Sequence, residues 1–165
     1  MANEIASGST VKIWLWLFPV VYLLHIAEEY WAGGGYVAYV ARTHGVQLSP
    51  TKFLVLNAVG WALMTLGVAL ARRLGFTEWL LVCLATVILI NGLSHTTSAV
   101  LRGEYNPGLL TGLLIFIPLG VGLLFYLSGR MRRRRYLGAL TVGVLVHGVI
   151  FLLAATGGQP TKLVR

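Results

Sequence analysis

The chain has 165 residues, of which 57% are hydrophobic and only 11% carry a charge. Soluble domains are about 45–50% apolar and about 25% charged, so this composition excludes an ordinary water-soluble domain. It predicts a membrane protein, and its length needs a single integral membrane domain, residues 1–165. The lone Cys83 excludes a disulfide framework.

The net charge of +8 could suggest a nucleic acid partner, but its distribution favours lipid. Five of the 13 basic residues are Arg130 and the run Arg132 to Arg135, directly beside an apolar segment. A basic run in that position is typical of a loop held against anionic headgroups. We therefore expect membrane lipid, and no nucleic acid, as a partner.

Five apolar runs follow one another along the chain, and each is near the ~20 residues that a helix needs to cross hydrocarbon. Helices satisfy their own backbone hydrogen bonds within lipid, whereas lone strands do not. The sequence predicts an all-α fold, a polytopic membrane helix bundle of about five transmembrane helices. The runs cover about 11–31, 51–71, 78–101, 107–127 and 136–156.

The basic residues also predict an orientation. One side of the predicted bundle holds Lys12, Arg72, Arg73 and the arginine run, whereas the other holds fewer, among them Lys162 and Arg165. Positive charge in short loops favours the cytoplasm. We expect the N-terminus in the cytoplasm and the C-terminus outside.

The connections contain recognisable start signals. After Gly33-Gly34-Gly35, residues 36–47 are semi-apolar and read as a short interfacial helix or lid, or as a plain loop. Ser49 followed by Pro50 is typical of a helix start. Asn106-Pro107 turns the chain into the fourth run, and Pro118 is expected to kink that run.

The most unusual polar groups of the first run are His25, Glu28 and Glu29. The chain has five acidic residues, all Glu, and two of them lie here. Residues three and four apart share one face of a helix, so the two carboxylates flank the imidazole. Ionisable groups at membrane depth are costly and tend to mark a functional site.

Further polar groups are expected at a similar depth. Asn91 and His95 are four residues apart in the third run, and His147 stands alone in the fifth. Alternating helices bring these groups towards the level of His25. A lone His147 is more often structural, so we treat it as an optional ligand.

Imidazoles together with carboxylates are ligands for zinc, and two histidines with one carboxylate also suit non-haem iron. We expect His25, Glu28 and His95 as ligands of a divalent metal, zinc or iron, and Glu29 as acid/base or a further ligand. Asn91 would orient substrate or water. The same groups could work without metal, because a carboxyl in apolar surroundings holds its proton near neutrality.

Two motifs resemble those of a known family. His25-x-x-Glu28-Glu29 resembles the signature of the HXXEE-motif family of small bacterial multi-span membrane proteins. Asn91-x-x-x-His95, with the segment 102–108 that follows it, is similar to that family's second block, and the resemblance covers roughly residues 13–125. It implies that the polar residues of both motifs belong together and that the membrane is the bacterial inner one. It implies no reaction, because the family's function is uncharacterised.

Several functions fit these residues. The first is an intramembrane enzyme, a metal-dependent hydrolase or oxidoreductase acting on a lipidic or isoprenoid small molecule. The alternatives are a metal-independent isomerase or cyclase that uses a buried Glu as acid, a small proton-coupled membrane carrier, and a structural subunit. A hydrophobic small-molecule substrate is expected for the enzymes, and a homo-oligomer would supply the symmetry that a carrier needs.

Overall fold

A computed structural model describes the backbone of residues 2–156 and 159–160, and the side-chain surroundings of residues 14–154. The side chains of Lys12, Lys162 and Arg165, which entered the predicted orientation, lie outside these ranges. The structure is all-α, as predicted. Its long helices are α1 (Ala2–Trp31), α3 (Pro50–Leu74), α4 (Thr77–Arg102), α6 (Ile117–Ser128) and α7 (Arg133–Thr156), joined by the short α2 (Tyr36–His44) and α5 (Leu109–Thr111).

Four helical stretches within the described residues are long and apolar enough to cross a membrane, rather than the five predicted. They are Pro50–Leu74, Thr77–Arg102, Leu109–Ser128 and Arg133–Ala154. The first predicted span, about 11–31, lies within α1, but the side-chain surroundings of residues 11–13 are outside the described range, so only part of this span is covered. The described part of this span contains His25, Glu28 and Glu29, which lower its hydropathy.

The outer surface of the bundle is apolar. Leu63 on α3, Phe125 on α6 and Phe151 on α7 are 64%, 83% and 65% exposed. Large apolar side chains exposed in this number on several helices mark contact with lipid or a partner. Together with the long apolar helices, these side chains identify an integral membrane protein.

Helix α4 lies at the centre of the bundle and packs against α1, α3, α6 and α7. Small residues permit its close contacts, as expected for membrane helices. A Cβ on Gly120 would lie 3.0 Å from the Ala85 carbonyl oxygen, and one on Gly143 would lie 2.7 Å from that of Cys83. The centre of the bundle is therefore tightly packed around the helix that carries Asn91 and His95.

The connection after α1 is folded. The 3-10 turn Ala32–Gly34 leads into α2, which confirms a short helix here in place of a plain loop. Ser49 caps α3 by accepting a hydrogen bond from the Lys52 N–H (3.1 Å), with Pro50 in the first turn, also as predicted. Strands Val46–Gln47 (β1) and Gln159–Pro160 (β2) pair antiparallel. This pair joins the chain after α7 to the connection between α1 and α3.

The fourth predicted run is helical from α5 to α6, with a π-helical turn, Gly112–Phe116, between them. Pro118 follows this turn. Because proline has no N–H, it leaves a carbonyl of the preceding turn without its usual partner, and a π turn is one way a helix accommodates that. The irregularity expected at Pro118 thus lies just before it. In this turn Phe116 packs against His25, and their ring centroids are 4.5 Å apart.

Candidate functional site

A buried cluster of two imidazoles and one carboxylate lies where α1 meets α4. His25 Nε2 is 3.6 Å from Glu29 Oε1, and His95 Nε2 is 3.4 Å from the same oxygen. Relative exposures of 1%, 7% and 6% for His25, Glu29 and His95 place the cluster away from solvent and lipid. The two imidazole rings meet edge to face, with centroids 5.0 Å apart.

Helices α1 and α4 and the connection after α4 position the cluster. His25 and Glu29 are one helical turn apart on α1, so they share a face. His95 projects from α4, and the connection between α4 and α5 folds over both rings. Gly108 in this connection has φ +97°, and a Cβ there would lie 2.6 Å from His95 Cε1 and 2.8 Å from His25 Cε1. Only glycine fits both this backbone conformation and this space.

Glu28 fixes the orientation of His25 through Thr111. The Thr111 hydroxyl donates to Glu28 Oε2 at 2.5 Å, and the same Thr111 oxygen lies 2.7 Å from His25 Nδ1. An ionised carboxylate only accepts hydrogen bonds, so the hydroxyl proton is directed to Glu28. His25 therefore donates from Nδ1 to Thr111, and its Nε2 carries the lone pair when the ring is neutral.

Asn106 orients the second imidazole in the same way. Its Oδ1 lies 3.2 Å from His95 Nδ1, and its Nδ2 donates to the His95 carbonyl oxygen at 3.5 Å. With the amide in this orientation, His95 donates from Nδ1 and presents the lone pair of Nε2 to Glu29. The Tyr36 ring, 5.9 Å from the His95 ring, adds a wall on the α2 side.

Three hydrogen-bond acceptors therefore converge. With both rings neutral, the Nε2 atoms of His25 and His95 and Oε1 of Glu29 all offer lone pairs, and within the described residues His25 Nε2 has no hydrogen-bond partner. Such an arrangement is unfavourable in a buried site unless a cation or a proton lies between the acceptors. A second atom that orients each metal-bound histidine is common in metal sites.

The spacing fits a metal ion. The three ligand atoms lie within 4.8 Å of one another. In a tetrahedral zinc site with bonds of about 2.0–2.1 Å, two ligand atoms lie about 3.3 Å apart. The separations of 3.4 and 3.6 Å in this cluster are close to that value. His25, Glu29 and His95 could hold zinc or iron with little rearrangement.

Glu28, expected as a ligand, lies outside this cluster. Its Oε1 accepts from the Tyr105 hydroxyl (2.6 Å) and the Leu110 N–H (2.8 Å), and its Oε2 accepts from the N–H (2.7 Å) and hydroxyl of Thr111. It thus supplies acceptors for the first turn of α5, whose N–H groups have no partners within the helix. The cluster contains Glu29 instead.

Asn91 and His147 are also absent from the cluster. Asn91 Oδ1 and His147 Nδ1 are buried, and the part of the chain that the structure describes offers neither atom a hydrogen-bond partner. The structure thus confirms the expected meeting of His25 with His95 and does not add His147 to it. The role predicted for Asn91 in orienting substrate or water stays a prediction.

The sequence assigned no role to Tyr105, Asn106 and Thr111, which lie in or just after the connection between α4 and α5. Asn106 and Tyr105 belong to the segment that resembles the family's second block, so their neighbourhood carried a signal. Burial, together with the hydrogen bond to Glu28, raises the pKa of Tyr105, so its hydroxyl donates at neutral pH. Thr111 carried no sequence signal, because a threonine in an apolar run has no distinctive spacing.

Thr111→Val is expected to weaken metal binding by about 10–100-fold, the usual effect of removing an orienting partner of a metal ligand. Valine keeps the shape but cannot accept from His25 Nδ1. Thr111→Ser keeps the hydroxyl and should bind within a few-fold of the wild type. Titration of zinc into metal-free protein with a competing chelator measures both. Equal affinities for the two variants would show that the Thr111 hydroxyl does not orient His25.

The fold and the cluster together define a class of protein: a helical integral membrane protein with a buried histidine and glutamate site. The chain belongs to a family described as proteins of unknown function with an HXXEE motif, whose model matches residues 16–123. No curated protein and no solved structure matches it. The HXXEE motif of the family corresponds here to His25, Glu28 and Glu29, whose two carboxylates have different surroundings in the structure.

Proposed function

We propose that this protein is an intramembrane enzyme that acts on a lipidic or isoprenoid small molecule at a divalent metal, zinc or iron. The metal would be held by His25, Glu29 and His95. The observation that carries the proposal is the convergence of three buried lone pairs on one point, with Nδ1 of each ring directed to a different partner.

Three ligands favour a catalytic over a structural site. Structural zinc is held by four protein ligands, whereas catalytic zinc is held by three and keeps a position for water or substrate. Two histidines and one carboxylate are also the ligand set of non-haem iron oxygenases. The number and type of the ligands therefore support an enzyme rather than a subunit in which polar groups only lock the helices together.

A metal held here would supply a Lewis acid that polarises a substrate oxygen or activates water. The protein's own groups would provide orientation. Glu28 and Thr111 hold His25, Asn106 holds His95, and Gly108 lets the backbone cover both rings. Burial of the cluster excludes bulk water and strengthens each electrostatic interaction.

The proposed location is the bacterial cytoplasmic membrane, with the N-terminus in the cytoplasm and the C-terminus outside. His25 lies six residues before the end of α1 at Trp31, about 9 Å along the helix axis. The site would then lie at shallow depth on the outer side, within reach of a lipid that enters from the membrane. This depth agrees with a substrate that is largely apolar.

Turnover in a lipid extract tests the proposal. Purified protein in vesicles, metal-free or loaded with zinc or with iron(II) under air, is incubated with a bacterial lipid extract, and the lipids are compared by mass spectrometry. One metal-loaded form should convert a lipid species that Glu29→Gln leaves unchanged. The exposed His44 lies outside the cluster, so His44→Ala should retain the conversion. Conversion that survives Glu29→Gln, or that needs no metal, would contradict the proposal.

A further inference from the structure

A cavity of about 310 Å³ lies between α1, α2 and α3, and Glu29 forms part of its wall. Small-molecule sites measure about 300–1,000 Å³, so this volume suits a small ligand or the end of a longer one. A wider groove of about 540 Å³ runs along α4, but its lining residues all belong to that helix and include no member of the cluster. The smaller cavity is the one that reaches the site.

Aromatic side chains form much of the cavity wall. The Tyr36 and Phe53 rings have centroids 6.0 Å apart, and those of Tyr30 and Phe53 are 6.5 Å apart. Tyr30 is 39% exposed and the adjacent Trp31 is 76% exposed. Because these residues lie at the end of α1, the cavity opens near the membrane surface, where an amphiphilic molecule would enter.

The charges of the wall limit the ligand. None of the nine described residues that line the cavity is Lys, Arg or His, and Glu29 is the one carboxylate among them. The nearby Arg42 instead pairs with Glu104, with nitrogen and oxygen 3.4 Å apart. A phosphate or carboxylate headgroup would therefore leave water without a basic side chain in the wall to pair with it, which is costly. An uncharged polar head avoids this cost.

One group in the wall suits an uncharged oxygen. Tyr36 lines the cavity beside Glu29, and a phenol carries its proton at neutral pH. The phenol can donate a hydrogen bond to an alcohol or carbonyl oxygen. The Tyr36 ring also lies beside His95, so an oxygen held by this phenol would lie near the cluster.

We infer that this cavity binds an uncharged lipid with a hydroxyl or carbonyl oxygen at its end, and that this lipid is the substrate. The oxygen faces Glu29 and Tyr36, and the chain lies against the aromatic wall. That the ligand is a substrate rests on the proposed function. Its binding depends only on the shape and charge of the cavity.

The test uses a photoreactive probe, a decanol that carries a diazirine, with the protein in phosphatidylcholine vesicles. Mass spectrometry locates the labelled residues. We expect labels concentrated on residues 30–38 and on Phe53, displaced by decanol and not by decyl phosphate. Val37→Trp, which fills the cavity, should reduce labelling about tenfold, equivalent to a tenfold weaker association. Val55→Trp, at a 55% exposed position of α3, is the matched control and should not.

Two results would overturn the inference: labels spread evenly over the lipid-facing helices, or displacement by decyl phosphate as effective as by decanol. Metal content, measured on the same samples, separates the two proposals. Cavity labelling in a protein that takes up no metal would support the lipid site and contradict the metal enzyme. Metal uptake with evenly spread labels would support the metal site and contradict the lipid site. Helicity and metal content of Val37→Trp confirm that the variant is folded.

Discussion

Glu28→Ala is expected to lower the free energy of unfolding by about 2–4 kcal/mol, because hydrogen bonds to a charged group are strong and their donors lose their partner. The carboxylate accepts four hydrogen bonds, from Tyr105, Leu110 and twice from Thr111. Its removal leaves the first turn of α5 without acceptors and detaches α1 from the connection over the site. Reversible unfolding in mixed detergent micelles measures the change.

A second carboxylate provides the control. The Glu104 side chain is 38% exposed and pairs with the exposed Arg42, so Glu104→Ala should cost less than about 1 kcal/mol. Glu28→Gln should be intermediate, since the amide keeps one acceptor oxygen but turns a donor towards Thr111. A stability for Glu28→Ala equal to that of Glu104→Ala would show that Glu28 does not hold the connection.

Gly108→Ala is expected to abolish metal binding at micromolar metal. The new Cβ would lie 2.6–2.8 Å from atoms of both imidazoles, and real Cβ contacts are not this short. The backbone is also strained for any residue but glycine at φ +97°. Either the connection lifts or the rings turn, and in both cases the two Nε2 atoms no longer converge with Glu29. Zinc binding by the folded variant, confirmed by its helicity, measures the effect.

Gly103→Ala separates the effect of the collision with the rings from the effect of the positive φ. Gly103 also has a positive φ of +64°, but nothing lies within 4 Å of a Cβ placed there. This variant carries the backbone cost, about 1–2 kcal/mol, without a collision, and it should keep its metal. If both variants bind zinc normally, the packing of Gly108 against the rings is not what shapes the site.

Much of the fold could be predicted because lipid imposes simple rules. Length and hydropathy located the apolar helices, and Ser49 with Pro50 located the start of α3. The first helix carries the polar residues that mark the site, and these residues lower the hydropathy of its described part. The π turn before Pro118 could not be predicted, because a helix can adapt to the missing proline N–H in several ways.

The sequence could predict which helix faces form the site. Spacing placed both carboxylates beside His25, and alternation of the helices brought His95 to it. The choice between Glu28 and Glu29 depends on the rotation of α1 and on which donors the connection offers. Thr111 and the α5 N–H groups bind Glu28, and this leaves Glu29 for the cluster. The sequence alone does not show which glutamate joins the cluster, because this depends on the position of residues 105–111 relative to α1.

The measurement that tests the account most directly is the metal content of the purified protein, by elemental mass spectrometry after reloading. We expect about one equivalent of zinc or iron in the wild type and in His44→Ala, and almost none in His25→Ala or Glu29→Gln. The isosteric Glu29→Gln guards against loss by misfolding. A folded wild type without metal, or a metal content that Glu29→Gln leaves unchanged, would contradict a metal site formed by His25, Glu29 and His95.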